Sequence, residues 1–402
     1  MKILCAIPYL GKSYGGTSKV VKEIAREISL DNCTVDLVTT NANDQDTLDV
    51  SLNTWIDHQN YRIQYFSCWH RSDFILSWTL IKWLFNNIDN YDLVHTNTIF
   101  SPLISLVHII CKLKRVPYLA TPHGMLEPWA LSYKANKKKY YYQFLEKPLL
   151  QQANAIQTLA TSEAEKIQNL GFQKTVTIPN GIHRQEYESL PNSTIFHQKF
   201  PRTANKQLIL FLGRIDPKKG LDLLAPAFAK INQQFPDAHL VVAGPDSINF
   251  MPTAKQYFRD AGCESAVTFT GMLNGDLKLA ALSAAQVYVA PSYSEGFSMS
   301  VLEGMASALP CVITTGCNFP EAHKAQVAHV VDIDSQAIGN ALIKCLENPS
   351  QARHMGMRAR QFIFDNYTWD IVAKKMVELY QQIIDTTDAN KRKLCSDEPL
   401  HI

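Results

Sequence analysis

Residues 208–243 read LILFLGRIDPKKGLDLLAPAFAKINQQFPDAHLVVA, and this stretch decides the fold. Its first five residues form an unbroken apolar run of strand length. Gly213, Pro217 and Gly220 then punctuate a loop. Between 221 and 235 the apolar residues recur at helical spacing, and 239–243 is a second short apolar run. Strand, glycine-bearing loop, helix and strand make a βαβ unit. Its strands pair in parallel, in a sheet that helices cover on both faces.

The same alternation extends in both directions. Strands are predicted over 267–270, 287–290 and 311–314, with a helix over 277–284. Towards the N-terminus, strands are predicted over 2–9, 35–39, 93–96 and 118–121, and a helix over 18–30 follows the first of them. At 402 residues the chain exceeds one typical domain, which averages about 150 residues. Each half opens with strand, glycine loop and helix. Pro179, Asn180, Gly181, Pro191 and Pro201 mark a seam between the halves. The expected fold class is therefore α/β, with Rossmann-like parallel-sheet domains at 1–180 and 203–368 facing a central cleft and a linker at 181–203. Ligands of such sheets sit at the carboxyl ends of the strands. A last helix over 369–384 is amphipathic.

Composition narrows the function classes. Hydrophobic residues at 46% and charged residues at 19% describe an ordinary folded protein. A net charge of +2 gives no reason to expect nucleic acid as a partner. The nine cysteines are odd in number, scattered and never spaced as CxxC, so neither a disulfide framework nor a zinc site is expected. The apolar start is short and lacks a small-residue cleavage site, so it reads as a buried strand, not a signal peptide. No run reaches the roughly 18 apolar residues of a membrane span; the best, 99–113, is broken by Pro102 and His108. A cytoplasmic protein is expected, with peripheral contact at the inner face of the membrane as an added expectation.

Four stretches carry chemistry. Glu295-Gly-Phe-Ser-Met-Ser-Val-Leu-Glu303 leads from a strand into a helix over 300–307. The backbone amides of Phe297, Ser298 and Met299 then lie at a helix N-terminus, which attracts anions and sugar oxygens. Glu295 is in reach of a sugar hydroxyl, and Glu303, one turn in, of a ribose. Ser300-x-x-Glu303 also fits a capping box, which requires no ligand. In the second stretch, the 208–212 strand delivers Arg214, and the Pro217–Gly220 turn returns Lys219 beside it. Paired cations fixed in advance stabilise a departing diphosphate without a metal; a solvated turn is the plainer alternative for Lys218-Lys219. The third, Lys12-Ser-Tyr-Gly15-Gly16-Thr17-Ser18, joins the first strand to the first helix, where glycines let a ligand approach the backbone. The fourth, Thr121-Pro-His123-Gly-Met-Leu-Glu127-Pro-Trp129, places His123 at a strand end, where catalytic groups collect in open parallel sheets. Asp44-Gln-Asp46 lies in a polar loop and reads as a solvated turn, not as a metal site.

Ile178-Pro-Asn-Gly181, the Gly213-Arg214…Lys219-Gly220 loop, Ala243-Gly-Pro245 and the Glu-x7-Glu element over 295–303 occur in the order found in the large retaining GT-B group called family 4 glycosyltransferases. The resemblance covers nearly the whole chain. It implies the two-lobed GT-B fold and a hexosyltransferase that draws on a nucleotide diphosphate sugar with retention of configuration, using no cofactor and no metal. Residue by residue, it implies that Arg214 and Lys219 hold the diphosphate, Glu295 the donor sugar and Glu303 the ribose. Phe297, Ser298 and Met299 offer amides to sugar and phosphate, Gly16 approaches the diphosphate from the other lobe, and His123 lies beneath the reacting carbon. The segment ending at Leu273 matches the strand and turn that hold the base, and a helix over 369–388 packs back on the first lobe. Two departures are visible: His183 stands where the family often has Asp, and 304–310 differs from the family's usual helix.

Glycan or lipid-linked sugar acceptors should fall to the N-terminal half, with Glu127 and Trp129 as candidate contacts. The Lys134, Lys137, Lys138 and Lys139 run beside three tyrosines suits an anionic head group, or simply a solvated helix face. UDP-glucose as donor and polysaccharide biosynthesis as setting rest on their frequency in the family. The competing expectations are a nucleotide-sugar 2-epimerase of the same fold and a non-catalytic sugar-nucleotide-binding protein.

Overall fold

The computed structural model describes residues 1–11, 14, 16–31, 33–71, 74–126 and 139–396. The chain forms two compact units. One comprises Met1–Asn180 with the segment from Trp369 onward; the other is Gly181–Thr368.

The first unit is built on eight strands: β1 (Lys2–Tyr9), β2 (Thr34–Thr40), β3 (Trp55–His58), β4 (Tyr61–Phe66), β5 (Leu93–Asn97), β6 (Tyr118–Thr121), β7 (Ala155–Thr158) and β8 (Thr175–Thr177). They are ordered β8-β7-β6-β5-β1-β2-β4-β3. All neighbours pair in parallel except β3, which runs antiparallel to β4. β1 is apolar through its middle because helices cover both faces: its six central residues are all buried. The Gly16–Ile28 helix turns Val20, Val21, Ile24, Ala25 and Ile28 onto the sheet, the spacing of one helical face. Chain order reverses between β1 and β5, where Ile3 pairs with Leu93.

The second unit carries β9 (Gln207–Leu212), β10 (Ala238–Ala243), β11 (Val267–Gly271), β12 (Val287–Ala290), β13 (Cys311–Thr314) and β14 (His329–Val331). Their order is β11-β10-β9-β12-β13-β14, entirely parallel. Numbered within the unit this is 3-2-1-4-5-6, the doubly wound order in which ligands bind where the strand order reverses. That reversal lies between β9 and β12, which pair at Ile209–Val287 and Leu210–Tyr288.

Two boundaries differ from the sequence reading. The expected linker at 181–203 is part of the second unit: it holds two short helices, Arg184–Glu188 and Thr194–Lys199, and places Ile182, Tyr187 and Phe196 in the core. Its prolines punctuate the chain, but these three apolar side chains are buried. The last helix runs Trp369–Ser396, beyond the predicted end at 384 or 388. Trp369, Val372, Met376, Leu379, Tyr380 and Ile383 enter the core of the first unit. Among the described residues eight cysteines are free, and no helix is long and apolar enough to cross a membrane.

Candidate active site

At the reversal point of the second unit, the loop after β9 is built to hold a charge in place. Gly213 N–H donates to Ala243 O at 2.9 Å, and Ile215 N–H donates to Pro245 O at 2.9 Å. The backbones approach so closely that a Cβ on Gly244, at φ +155°, would stand 1.7 Å from Gly213 O, which is why glycine follows Ala243. Asp216 caps the next turn, its carboxylate accepting from Lys218 N–H at 3.0 Å. Gly220 closes that turn in the left-handed region at φ +71°, where a Cβ would meet Pro291 O at 2.0 Å. Tyr293 N–H donates to Lys218 O at 2.8 Å, fastening the turn to the loop after β12.

This fastening brings Lys219 to Glu295. Their side chains, 12% and 10% exposed, form an ion pair between Nζ and Oε1. Ser292 Oγ donates to the same oxygen at 2.9 Å. The Glu295 backbone is tied as well: its N–H donates to Gly316 O at 2.8 Å, and its carbonyl accepts from Asn318 Nδ2. Burial alone would raise the Glu295 pKa. The charge and N–H of Lys219, with the Ser292 hydroxyl, reverse this and hold the carboxyl below its ordinary range. Lys219 is thus not a solvated turn residue. Lys218 beside it has its pKa lowered by burial and then by the charges of Arg214 and Lys219, the mark of three cations crowded into one loop. Arg214 itself is 51% exposed, with Asp216 Oδ2 at 3.8 Å.

The helix after this loop spans Met299–Ala306 with Ser298 as its N-cap, and the Ser298 side chain makes no capping hydrogen bond. The capping-box alternative fails here: from Ser298 the third helical position is Val301, so Glu303 lies beyond reach of a reciprocal cap. Glu303 instead accepts from Lys278 Nζ at 2.7 Å. Of the other proposed donor contacts, Ser298 is buried with its Oγ 3.3 Å from Ser300 Oγ. Met299 opens the helix and packs against the core. The Phe297 ring lies against Phe319 and Tyr367, with centroids at 5.8 and 6.1 Å. Leu273 is a core residue, 8% exposed, so its side chain serves packing; the adjacent Met272 is the exposed one.

In the first unit, His123 follows β6 with φ +52° and donates from Nε2 to Asn97 Oδ1 at 2.9 Å, at the end of β5. Desolvation lowers its pKa to about 4, so the imidazole is neutral at pH 7. Gly124 N–H is held by Glu163 Oε1 at 3.0 Å. Gly16 starts the first helix, exposed and with open space where a Cβ would lie. Asp44 lies in the turn of a small hairpin and Asp46 opens its second strand, both exposed. Gly15, Glu127, Trp129, Lys134, Lys137 and Lys138 lie outside the described residues. Of the tyrosines after the lysine run, only Tyr140 is strongly exposed. Tyr141 bonds Ser105 Oγ at 2.6 Å and the Tyr142 hydroxyl is buried, so two of the three turn inward, away from any surface partner.

Two family models match the chain: one described as glycosyltransferase family 4 over residues 14–186, and one as glycosyl transferases group 1 over residues 192–362. The chain belongs to the family 4, group 1 type of GT-B glycosyltransferases. Over 217 residues the transferase is 30% identical to the phosphatidyl-myo-inositol mannosyltransferase of Mycobacterium tuberculosis, which covers 52% of this chain and 54% of that one. Among solved structures it resembles the sucrose-phosphate synthase of Thermosynechococcus elongatus, with TM-score 0.76, 20% identity and coverage of 96% and 100% of the two chains. It also resembles the Anabaena protein HepE in complex with UDP-glucose, with TM-score 0.74, 19% identity and coverage of 95% and 100%. These likenesses establish the GT-B fold.

The transferase has site residues that the sequence reading passed over. Lys278 stands alone as the cation of a small-residue helix, Gly275–Ala284. Tyr187 lay in a segment read as linker. Ser292 and Asn318 fix Glu295 from loops of no recognisable pattern, and Asn97 meets His123 from the neighbouring strand. A charged residue on an otherwise apolar helix was the available signal for Lys278; the others require the tertiary structure.

Proposed function

We propose that the transferase moves a hexose, with UDP-glucose as the first donor to examine, onto a glycan or lipid-linked acceptor in polysaccharide biosynthesis, with retention of configuration and without a metal. One observation carries this reading. Lys219, Glu295 and Glu303, distant in sequence, are set around the loops at the reversal point of the second sheet, each held by side-chain partners. Two relatives support the hexose: one is a mannosyltransferase and the other is seen in complex with UDP-glucose.

In this reading Arg214, Lys218 and Lys219 meet the diphosphate, Glu295 a donor hydroxyl and Glu303 the ribose. The amides at the start of the Met299–Ala306 helix add dipoles of the right sign. The bond from the sugar's anomeric carbon to the diphosphate oxygen breaks as a bond to the acceptor oxygen forms on the same face. The acceptor proton passes to the departing diphosphate, whose growing charge the cations stabilise. His123, neutral, belongs to the acceptor-binding unit. The protein works in the cytoplasm, with acceptor chemistry deciding any contact with a membrane face.

A thermal-shift screen of UDP-glucose, UDP-galactose, GDP-mannose and ADP-glucose tests the reading, because a ligand of the native state raises the melting temperature. UDP-glucose should give a clear rise in the wild type, and Glu295→Ala should lose the part of that rise that exceeds the rise with UDP. No response to any sugar nucleotide overturns the reading. Steady conversion of the donor to an epimer in the absence of acceptor would make the protein an epimerase.

A further inference from the structure

Both carboxylates of the Glu-x7-Glu element are paired with lysines from other elements, but only one of those lysines belongs to a recognisable motif. Lys219 comes from the phosphate-facing loop. Lys278 comes from the Gly275–Ala284 helix, where it is the lone basic residue. Its Nζ lies 2.7 Å from Glu303 Oε1, and the two side chains are 19% and 15% exposed. Tyr187, buried in the core, lies on the Arg184–Glu188 helix, which packs against the Met299–Ala306 helix that carries Glu303. Its pKa is raised first by burial and then by the negative charge of Glu303.

A glutamate that is to accept hydrogen bonds from two ribose hydroxyls must point one way. A cation in contact from a separate element removes much of the rotamer freedom of the side chain. One lysine N–H leaves lone pairs in hand, since a carboxylate offers about four acceptor sites.

We propose that Lys278 is a positioning residue that holds Glu303, with Tyr187 on the adjoining helix, as a fixed acceptor for a vicinal ribose diol, and so sets the preference for ribonucleotides over 2′-deoxyribonucleotides. This rests on the reading that Glu303 engages the donor ribose. A lysine serving only the fold would support binding of both nucleotides equally, whereas a lysine acting through Glu303 supports only the one that carries the 2′-hydroxyl.

The experiment is calorimetric titration of the full chain with UDP and with 2′-deoxy-UDP at pH 7.5, and with GDP and 2′-deoxy-GDP if UDP does not bind. Wild type should prefer the ribonucleotide about tenfold or more, the worth of a hydrogen bond to a charged group. Lys278→Met should weaken the ribonucleotide about tenfold, leave the deoxyribonucleotide within about twofold, and bring the ratio near one. Lys278→Arg should keep most of the preference, and Tyr187→Phe should lower it about threefold. An unchanged ratio in Lys278→Met, or equal weakening of both ligands, overturns the inference. If Lys278→Met fails to fold, the ratios in Lys278→Arg and Tyr187→Phe decide. Glu303→Gln separates this inference from the reading beneath it. If that variant keeps the wild-type ratio, the ribose assignment fails; if it loses the ratio while Lys278→Met keeps it, only the role of Lys278 fails.

Discussion

Lys219 and Glu295 lie 76 positions apart and form an ion pair at the carboxyl edge of one sheet. Each neutralises the other, so neither is left as an uncompensated buried charge. A sugar nucleotide offers both of them substitutes: diphosphate oxygens for the lysine and hydroxyl protons for the glutamate. The pair is therefore a resting arrangement with the same charge pattern as the bound one, and little reorganisation is required of the protein when the leaving group departs.

Removing one member of this pair should affect stability and activity separately. Lys219→Ala should lower kcat/KM at least a hundredfold and cost about 3 kcal/mol of stability by stranding Glu295. The double variant Lys219→Ala, Glu295→Gln should recover most of the stability and none of the turnover. Urea denaturation beside steady-state kinetics reads both quantities. Full activity in Lys219→Ala would remove the diphosphate assignment.

Acid should weaken the fold before Glu295 is protonated, most clearly through three buried histidines of the first unit and with His239 of the second acting in the same direction. Burial lowers the pKa of His95 to about 3, with the charge of His123 a smaller cause, and lowers His108 to about 3 and His123 to about 4, against an ordinary value of 6.5. Between those values the unfolded chain binds protons that the folded unit refuses, so stability present above pH 6.5 is lost as the pH falls towards 4. Each histidine contributes on the order of 1 kcal/mol per pH unit inside its window. Glu295 has the opposite charge type and the same direction: its lowered pKa adds stability that holds above the ordinary carboxyl value of 4.5 and fades below it. Denaturation midpoints measured from pH 7.5 to 4.5 should fall steadily, and a flat profile would contradict the buried, neutral state of these imidazoles.

Gly220 should tolerate no side chain. Its left-handed backbone and the Pro291 carbonyl, 2.0 Å from where a Cβ would stand, combine a conformational cost with a collision against backbone. Gly220→Ala should cost more than about 2 kcal/mol and should weaken binding of the nucleotide identified by the donor screen, because the Lys219 turn must move. A crystal structure of the variant with the turn unmoved would refute this account.

Much of the fold was legible because buried parallel strands leave a strong imprint. The runs at 118–121, 287–290 and 311–314 match β6, β12 and β13 residue for residue. β3 and β4 went unseen because an antiparallel edge with one wet face mixes Trp55, Asp57, His58, Arg62 and Gln64 among its apolar residues. The Gly-Arg…Lys-Gly loop and the two glutamates were legible through motif spacing. Lys278 and Tyr187 were not, since what makes them partners of Glu303 is a meeting of three helices that no local pattern encodes.

The Trp369–Ser396 helix places the last core side chains of the first unit beyond the entire second unit in the chain. Vectorial synthesis therefore delivers the second unit complete, while the sheet that leaves the ribosome first still shows an apolar flank where Trp369, Met376 and Tyr380 will lie. A nascent chain arrested before Trp369 would carry one finished half and one sticky half. Chaperone demand, proteolytic loss and aggregation should all concentrate in that interval of translation.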